Sequence, residues 1–152
     1  MRRLKLPHIQ KLSGSTMRVG IVVSDFNGDI TSRLLHGATT ALRKYGVVPR
    51  NITVVHVPGG FEIPLACQRL ARTKKFDALV ALGCVIKGAT DHYYYIAGEA
   101  SRGIMRVMLD HGIPIGFGVL TTHTLAQARA RSSQRDNAGR HAVEAALVMA
   151  LK

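Results

Sequence analysis

The feature that most constrains this fold is the regular alternation of short β-branched runs with longer amphipathic segments. The apolar runs have the length and composition of buried strands, and they lie at 18–23, 52–57, 78–86 and 115–120. Amphipathic segments follow them, which predicts helices at about 31–45, 62–72, 92–111, 125–131 and 137–151. Because alternating strands and helices form βαβ units, we expect an α/β three-layer sandwich, with a four-stranded parallel sheet and helices on both faces.

Turn-forming residues mark the expected ends of these elements. Thr31 or Ser32 can cap the first helix, and Gly46 can end it in the left-handed conformation. Glu62 is expected to open the second helix, with Pro64 tolerated in its first turn. Together these elements predict a flavodoxin-like domain.

Length and charge bound the organisation of the chain. With 152 residues it has room for one domain, which we place at 17–152. Residues 1–16 hold four Lys and Arg and no acid, so we expect a basic N-terminal arm that could order against a neighbour or add an edge strand. The formal net charge of +12 suits nucleic acid, an anionic substrate or an acidic partner.

Other signals of protein class are missing from the sequence. No apolar run approaches the about 20 residues of a membrane span, so we expect a cytoplasmic protein. Cys67 and Cys84 lie in apolar surroundings without the spacing of metal ligands. Two buried thiols in a reducing compartment, and no metal site, are the expectation.

Unusual residues gather in the loops that follow the predicted strands. In an open parallel sheet, the ligand binds outside the carboxyl ends of the strands. That rule selects four loops, at 24–30, 58–62, 87–92 and 121–124.

The loop from Gly88 to His92 has the features of an anion site. It contains a glycine and leads into a helix N-terminus, where free backbone N–H groups and the helix dipole favour negative charge. Thr90 adds a hydroxyl donor, although Thr90 or Asp91 could simply cap the helix. A histidine in the first turn, His92, can transfer protons at about neutral pH, or can be ordinary polar surface.

The remaining loops carry weaker signals. Gly59 and Gly60 would let a ligand approach the backbone closely, but they also suit a plain strand-to-helix turn. Phe26 could stack on a planar ring or could plug the edge of the core; for Phe117, on the fourth strand, the core is favoured. Four arginines near the C-terminus could bind phosphate or form a solvated basic face, and they are Arg129, Arg131, Arg135 and Arg140.

Four blocks in order carry a family resemblance. They are Phe26-Asn27 with Ile30-Thr31-Ser32, then Val-Pro-Gly-Gly-Phe-Glu-Ile-Pro at 57–64, Val-Ile-Lys-Gly-Ala-Thr-Asp-His-Tyr at 85–93, and Phe-Gly-Val-Leu-Thr-Thr at 117–122. Over 17–151 the chain resembles the 6,7-dimethyl-8-ribityllumazine synthases of riboflavin biosynthesis. The resemblance implies condensation of 5-amino-6-(D-ribitylamino)uracil with 3,4-dihydroxy-2-butanone 4-phosphate, releasing phosphate and water. It implies no metal and no cofactor.

The resemblance also implies a role for individual residues. His92 would transfer protons, and the phosphate would be bound by Gly88, Ala89 and Thr90. The pyrimidine and its ribityl chain would contact Phe26, Gly60, Phe61, Glu62, Cys84, Val85 and Ile86. Phe117 and Arg131 would come from the adjacent subunit, Phe117 to cover the ring and Arg131 to bind phosphate.

The chain departs from the family pattern after Arg131. The segment to Asn137 is one residue shorter, Ala138 stands where a lysine is usual, and His141 where an acid is common. Arg135 or Arg140 could replace the missing charge. The family implies a homopentamer or a pentamer-based icosahedral shell with sites between subunits, and riboflavin synthase as a partner inside such a shell. Members limited to pentamers often carry an insertion in the segment after Arg131. This chain has none there, so a shell is allowed.

Three other functions compete with this enzyme. The charge could serve a nucleic-acid-binding module, but the basic residues are scattered and few aromatics accompany them, so no specific nucleic acid is expected. A non-catalytic shell protein would explain Ala138 and His141. A flavin-binding relative would use the same pocket for a fused ring system.

Overall fold

The computed structural model describes residues 16–151, and its helices and strands alternate as the sequence predicts. The strands are β1 Val19–Ser24, β2 Ile52–Val57, β3 Ala78–Ile86 and β4 Ile115–Thr122. The helices are α1 Gly28–Lys44, α2 Ile63–Arg72, α3 His92–His111, α4 Leu125–Arg131 and α5 Ala138–Ala150. Short 3-10 turns occur at Pro49–Asn51 and Gly60–Glu62. The predicted basic arm lies outside the described residues, apart from Thr16.

All four strands are parallel and run in the order β2-β1-β3-β4. This confirms the predicted flavodoxin-like three-layer sandwich. One core layer packs between the sheet and helices α1 and α5, with Leu34 and Leu147 fully buried. The other packs against α2 and α3 around Ile63 and Ile104. Since parallel strands place their carboxyl ends at one edge, the loops after β1, β2, β3 and β4 lie together there.

Helix α5 lies directly on β4 because two strand residues facing it lack side chains. A Cβ at Gly116 would lie 2.1 Å from the carbonyl oxygen of Ala142, and one at Gly118 would lie 3.2 Å from the Ala142 Cβ. Such close packing requires glycine on the strand. None of the helices within 16–151 is long and apolar enough to cross a membrane.

Several predicted boundaries are wrong, and three of them bear on the loops that follow the strands. Helix α1 begins at Gly28 rather than after Thr31, because Asn27 adopts the left-handed conformation and its carbonyl accepts from the N–H groups of Ile30 and Thr31. Glu62 does not open α2; it ends a 3-10 turn, and α2 begins at Ile63. Strand β4 continues two residues beyond its predicted end, to Thr122.

Candidate functional site

Backbone hydrogen bonds join the loops at the carboxyl edge of the sheet. The N–H groups of Asp25 and Phe26 donate to the carbonyls of Val57 (2.8 Å) and Pro58 (3.1 Å), which ties the loop after β1 to that after β2. The N–H of Lys87 donates to the Thr122 carbonyl at 2.9 Å, which ties the loop after β3 to the end of β4. The loops at the carboxyl ends of the strands therefore form one connected surface.

Asn27 connects the two halves of this surface. Its side-chain amide donates to the carbonyl of Cys84 on β3 at 2.9 Å. Its backbone has φ 57°, in the left-handed region that asparagine tolerates better than most residues. Asn27 thus sets the direction of the loop that carries Phe26 as well as the start of α1.

Two phenylalanines on this surface point into solvent. Phe26 is 69% exposed and Phe61 is 57% exposed. Burying such a ring on a ligand would remove apolar area from water, and a planar ligand ring would add a stacking contact. The alternative that Phe26 plugs the edge of the core is wrong.

The floor beside these rings is apolar and close to backbone. A Cβ placed on Gly60 would lie 3.4 Å from Ile96 Cγ2 and 3.5 Å from Val85 Cγ2. Val85 and Ile86 are half-buried, and Cys84 is buried. The carboxylate of Glu62 is exposed and turns back over the preceding glycines, since a Cβ on Gly59 would lie 3.3 Å from Glu62 Oε2.

The loop between β3 and α3 is open to solvent. Gly88, Ala89, Thr90 and His92 are all exposed, and a Cβ at Gly88 would meet no described atom within 4 Å. Helix α3 follows over 20 residues, so its first N–H groups face the surface that this loop borders. An anion bound there would meet backbone donors, the Thr90 hydroxyl and, at the first helical residue, the His92 imidazole.

Lysine and aromatic side chains flank this loop. Lys87 Nζ lies 5.2 Å from the centre of the Tyr94 ring, and a hydrogen bond to Tyr94 raises the pKa of this lysine. Tyr93 packs edge-on against His123, from the loop after β4, with ring centres 6.1 Å apart. Positive charge and aromatic surface therefore adjoin the proposed phosphate position.

Cysteine chemistry does not suit this site. Burial, with a smaller contribution from the Asp29 carboxylate, raises the pKa of the Cys84 thiol to about 11. Burial raises the pKa of Cys67 to about 12. Both thiols are buried, as predicted, and stay protonated at neutral pH, so Cys84 can form a wall but is not an activated nucleophile. Within the described residues, no three His, Cys, Asp or Glu side chains group as metal ligands.

Phe117 lies away from the loops of its own chain. It pairs with Ala81 in the middle of β4, an edge strand, and is 47% exposed, so the interpretation of Phe117 as a core residue is wrong. The end of β4 at Thr122 is about 16 Å further along at ~3.3 Å per residue. This chain therefore does not bring Phe117 against its own phosphate loop.

The arginine-rich segment forms a small network of its own. Arg131 ends α4 and pairs with Asp136 at 3.1 Å, while His141 Nδ1 lies 3.7 Å from the same carboxylate. Ser132 and Asn137 close the short connection with an isolated β-bridge. Arg140 donates to the carbonyls of Gln134 (3.3 Å) and Arg135 (3.1 Å), so its guanidinium is occupied by this loop.

Sequence reasoning missed two contacts of the site. One is the Asn27 amide bond to Cys84, and the other is the pair of His56 Nδ1 and Asp25 Oδ1, 2.7 Å apart. The strand register signals the second pair, because Ser24 lies opposite Val57 and Asp25, the residue after β1, therefore lies near the end of β2. Neither His56 nor Asp25 belongs to a recognisable chemical motif.

A concavity of about 710 Å³ lies elsewhere, between α1 and α5. It is lined in part by His36, Thr40 and Glu144, and none of the predicted site residues lines it. The carboxyl edge, where most of the predicted site residues lie, is open to solvent in a single chain.

A comparison with known families gives one match over nearly the whole chain. The model of the family described as 6,7-dimethyl-8-ribityllumazine synthase matches residues 16–152. The matched range contains all of the carboxyl-edge loops.

Proposed function

Because this chain belongs to the 6,7-dimethyl-8-ribityllumazine synthase family, an enzyme family of the transferase type, we propose that it makes 6,7-dimethyl-8-ribityllumazine. The substrates are 5-amino-6-(D-ribitylamino)uracil and 3,4-dihydroxy-2-butanone 4-phosphate. The amine attacks the ketone and loses water to give an imine, phosphate is eliminated, and the ring closes with loss of a second water. The observation that carries the proposal is the exposed, glycine-containing loop at the start of α3, beside exposed aromatic rings.

Phosphate is bound by the loop before α3. Gly88 and Ala89 contribute backbone donors and Thr90 its hydroxyl, and the dipole of α3 favours the negative charge that grows when phosphate leaves. The glycine leaves the approach to these donors unobstructed. The phosphate is thus stabilised most at the elimination step.

The pyrimidine lies on the other half of the surface. Phe26 stacks on the ring, and Cys84, Val85 and Ile86 form the wall behind it, partly through backbone groups. The ribityl chain runs past Gly60 and Phe61, and the exposed Glu62 carboxylate accepts hydrogen bonds from its hydroxyls.

His92 transfers protons between the two substrates. It is the first residue of α3 and adjoins the phosphate donors, so its imidazole can reach the atoms that lose and gain protons as the imine forms and the ring closes. Its exposure in the single chain allows a substrate to contact it directly.

The family implies small-molecule substrates and oligomerisation. In the proposed assembly, a homopentamer or a pentamer-based shell in the cytoplasm, Phe117 and Arg131 of one subunit complete the site of the next. Their exposed side chains on β4 and α4 suit this role. Arg131 would bind phosphate in exchange for part of its contact with Asp136, and no lysine at residue 138 assists it. Riboflavin synthase is the partner expected inside a shell.

The proposal is tested by turnover of the two named substrates. The purified protein should form a fluorescent lumazine faster than the same mixture without protein. A protein that forms no product above this background, but purifies with a yellow chromophore, would be a flavin-binding relative instead. A protein that does neither, yet assembles into shells, would be a scaffold.

A further inference from the structure

A side-chain contact between a histidine and an aspartate connects the ends of the two strands next to the proposed pyrimidine position. His56 is the second-last residue of β2, and Asp25 is the first residue after β1. His56 Nδ1 and Asp25 Oδ1 are 2.7 Å apart, and the two side chains are 56% and 65% exposed. The two residues are 31 positions apart in the chain, so the contact depends on the sheet.

This pair holds the short loop that carries Phe26. Asp25 precedes Phe26, and their backbone N–H groups donate to the carbonyls of Val57, at the end of β2, and Pro58, just after it. The Phe26 ring itself is 69% exposed, so packing does little to fix it. The direction of the ring therefore depends on the backbone of the loop, and the side-chain pair is an additional bond that fixes that backbone.

We propose that His56 and Asp25 are positioning residues that hold Phe26 in place for the pyrimidine substrate. This inference rests on the proposed function, in which Phe26 stacks on the pyrimidine. A loop that is fixed before binding loses less freedom when the substrate binds, so the pair raises affinity for the substrate that Phe26 contacts. The phosphorylated substrate binds at the other end of the surface and gains nothing from the pair.

The geometry distinguishes this pair from the two exposed ion pairs within helix α3. Glu99–Arg102 and Arg106–Asp110 each join residues of one helix, three or four positions apart, where such pairs form on any solvated helix surface. His56–Asp25 joins the end of β2 to the loop after β1, and both border the proposed site. Exposed pairs contribute little to folding stability, so the effect of this one should be found in binding.

The test compares His56→Ala, Asp25→Ala and the double variant in the lumazine synthesis assay. Each single variant should raise KM for the pyrimidine by about threefold, as loss of one exposed side-chain contact allows. The double variant should raise it no further, because both changes remove the same contact. KM for the phosphorylated substrate and kcat should stay unchanged. His56→Asn, whose amide can donate to Asp25, should restore part of the affinity.

Asp77→Ala is the matched control. Asp77 is also an exposed carboxylate in a short contact, accepting from the Arg18 N–H at 2.7 Å, but it precedes β3 at the opposite edge of the sheet. Asp77→Ala should leave the KM values for the pyrimidine and for the phosphorylated substrate unchanged. Titration of each variant with 6,7-dimethyl-8-ribityllumazine, followed by fluorescence, measures ring binding without turnover. The affinity for lumazine should fall in the variants whose pyrimidine KM rises.

Two results would overturn the inference while the wild-type protein remains active. One is an unchanged pyrimidine KM and lumazine affinity in both single variants. The other is an equal change in both substrate KM values, which would indicate a general loss of structure. Absence of turnover in the wild-type protein would instead refute the proposed function.

Discussion

Replacing Asn27 with alanine should destabilise the fold and weaken binding of the pyrimidine. Asn27 has two structural roles: its backbone is left-handed, with φ 57°, and its side chain donates to the carbonyl of Cys84 at 2.9 Å. Alanine cannot make the hydrogen bond and is strained in that conformation. Since Phe26 precedes Asn27, a shift of this backbone also moves the proposed stacking ring.

The size of the effect follows from the two losses. One hydrogen bond contributes about 1 kcal/mol, and a left-handed alanine costs a further ~1–2 kcal/mol. Asn27→Ala should therefore lower the free energy of unfolding by about 2–3 kcal/mol. For a chain of this length, that corresponds to a decrease in Tm of roughly 4–12 °C.

Urea unfolding and thermal unfolding, at one fixed protein concentration, measure this change independently of activity. Asn27→Gly separates the two terms, because glycine adopts the left-handed conformation freely and lacks only the hydrogen bond; it should lose about half as much stability. Lys74 is the control: it is also left-handed, with φ 54°, but its exposed position suits glycine after a helix. Lys74→Gly should stabilise the protein by about 0.5–1 kcal/mol.

Equal stability of the Asn27→Ala and wild-type proteins would refute this reasoning. So would an Asn27→Gly variant as unstable as Asn27→Ala, because backbone strain would then contribute nothing. The pyrimidine KM should rise in Asn27→Ala but stay unchanged in Lys74→Gly.

Further predictions concern packing, the phosphate site, the histidine and the thiols. A Cβ on Gly37 would lie 2.2 Å from Asn137 Oδ1, so Gly37→Ala should lower the free energy of unfolding, measured with urea, by about 2 kcal/mol, and by much less in an Asn137→Ala background. Thr90→Ala should raise KM for the phosphorylated substrate more than that for the pyrimidine; equal increases would contradict the phosphate role. His92→Ala should slow turnover by roughly a hundredfold or more while lumazine still binds, and an unchanged rate would exclude proton transfer by His92. The pKa of Cys84 is raised from 9.0 to about 11, so its contribution to stability is complete below about pH 9 and is lost as pH rises towards about 11. Alkylation of this thiol at neutral pH should be slow until urea unfolds the protein. Fast labelling of the folded protein would contradict the burial of Cys84.

The positions of the strands and of most helices could be predicted from the sequence, because hydrophobic periodicity indicates them. Strands β2 and β3 and helices α3 and α4 lie where the apolar pattern places them. The start of α1 was predicted wrongly because one left-handed residue, Asn27, can replace a side-chain cap. The left-handed conformation of Asn27 depends on a tertiary contact, the hydrogen bond to Cys84. It therefore leaves no periodic pattern in the sequence.

The candidate site could be predicted only as a set of strand ends. The rule for parallel sheets brings Phe26, Glu62 and His92 to one edge, and the structure has their loops there. The pairing of His56 with Asp25 depends on strand order and register, which single-chain periodicity does not determine. Phe117 was favoured as a core residue because it lies in an apolar run, whereas β4 is an edge strand and leaves it exposed.

The most direct test of the central claim follows both products of one reaction. The purified protein is mixed with 5-amino-6-(D-ribitylamino)uracil and 3,4-dihydroxy-2-butanone 4-phosphate, and lumazine fluorescence and free phosphate are recorded together. We expect both to appear in equal amounts, faster than in the mixture without protein. A protein that releases neither above that background, or releases phosphate without forming lumazine, would contradict the assignment of this site to lumazine synthesis.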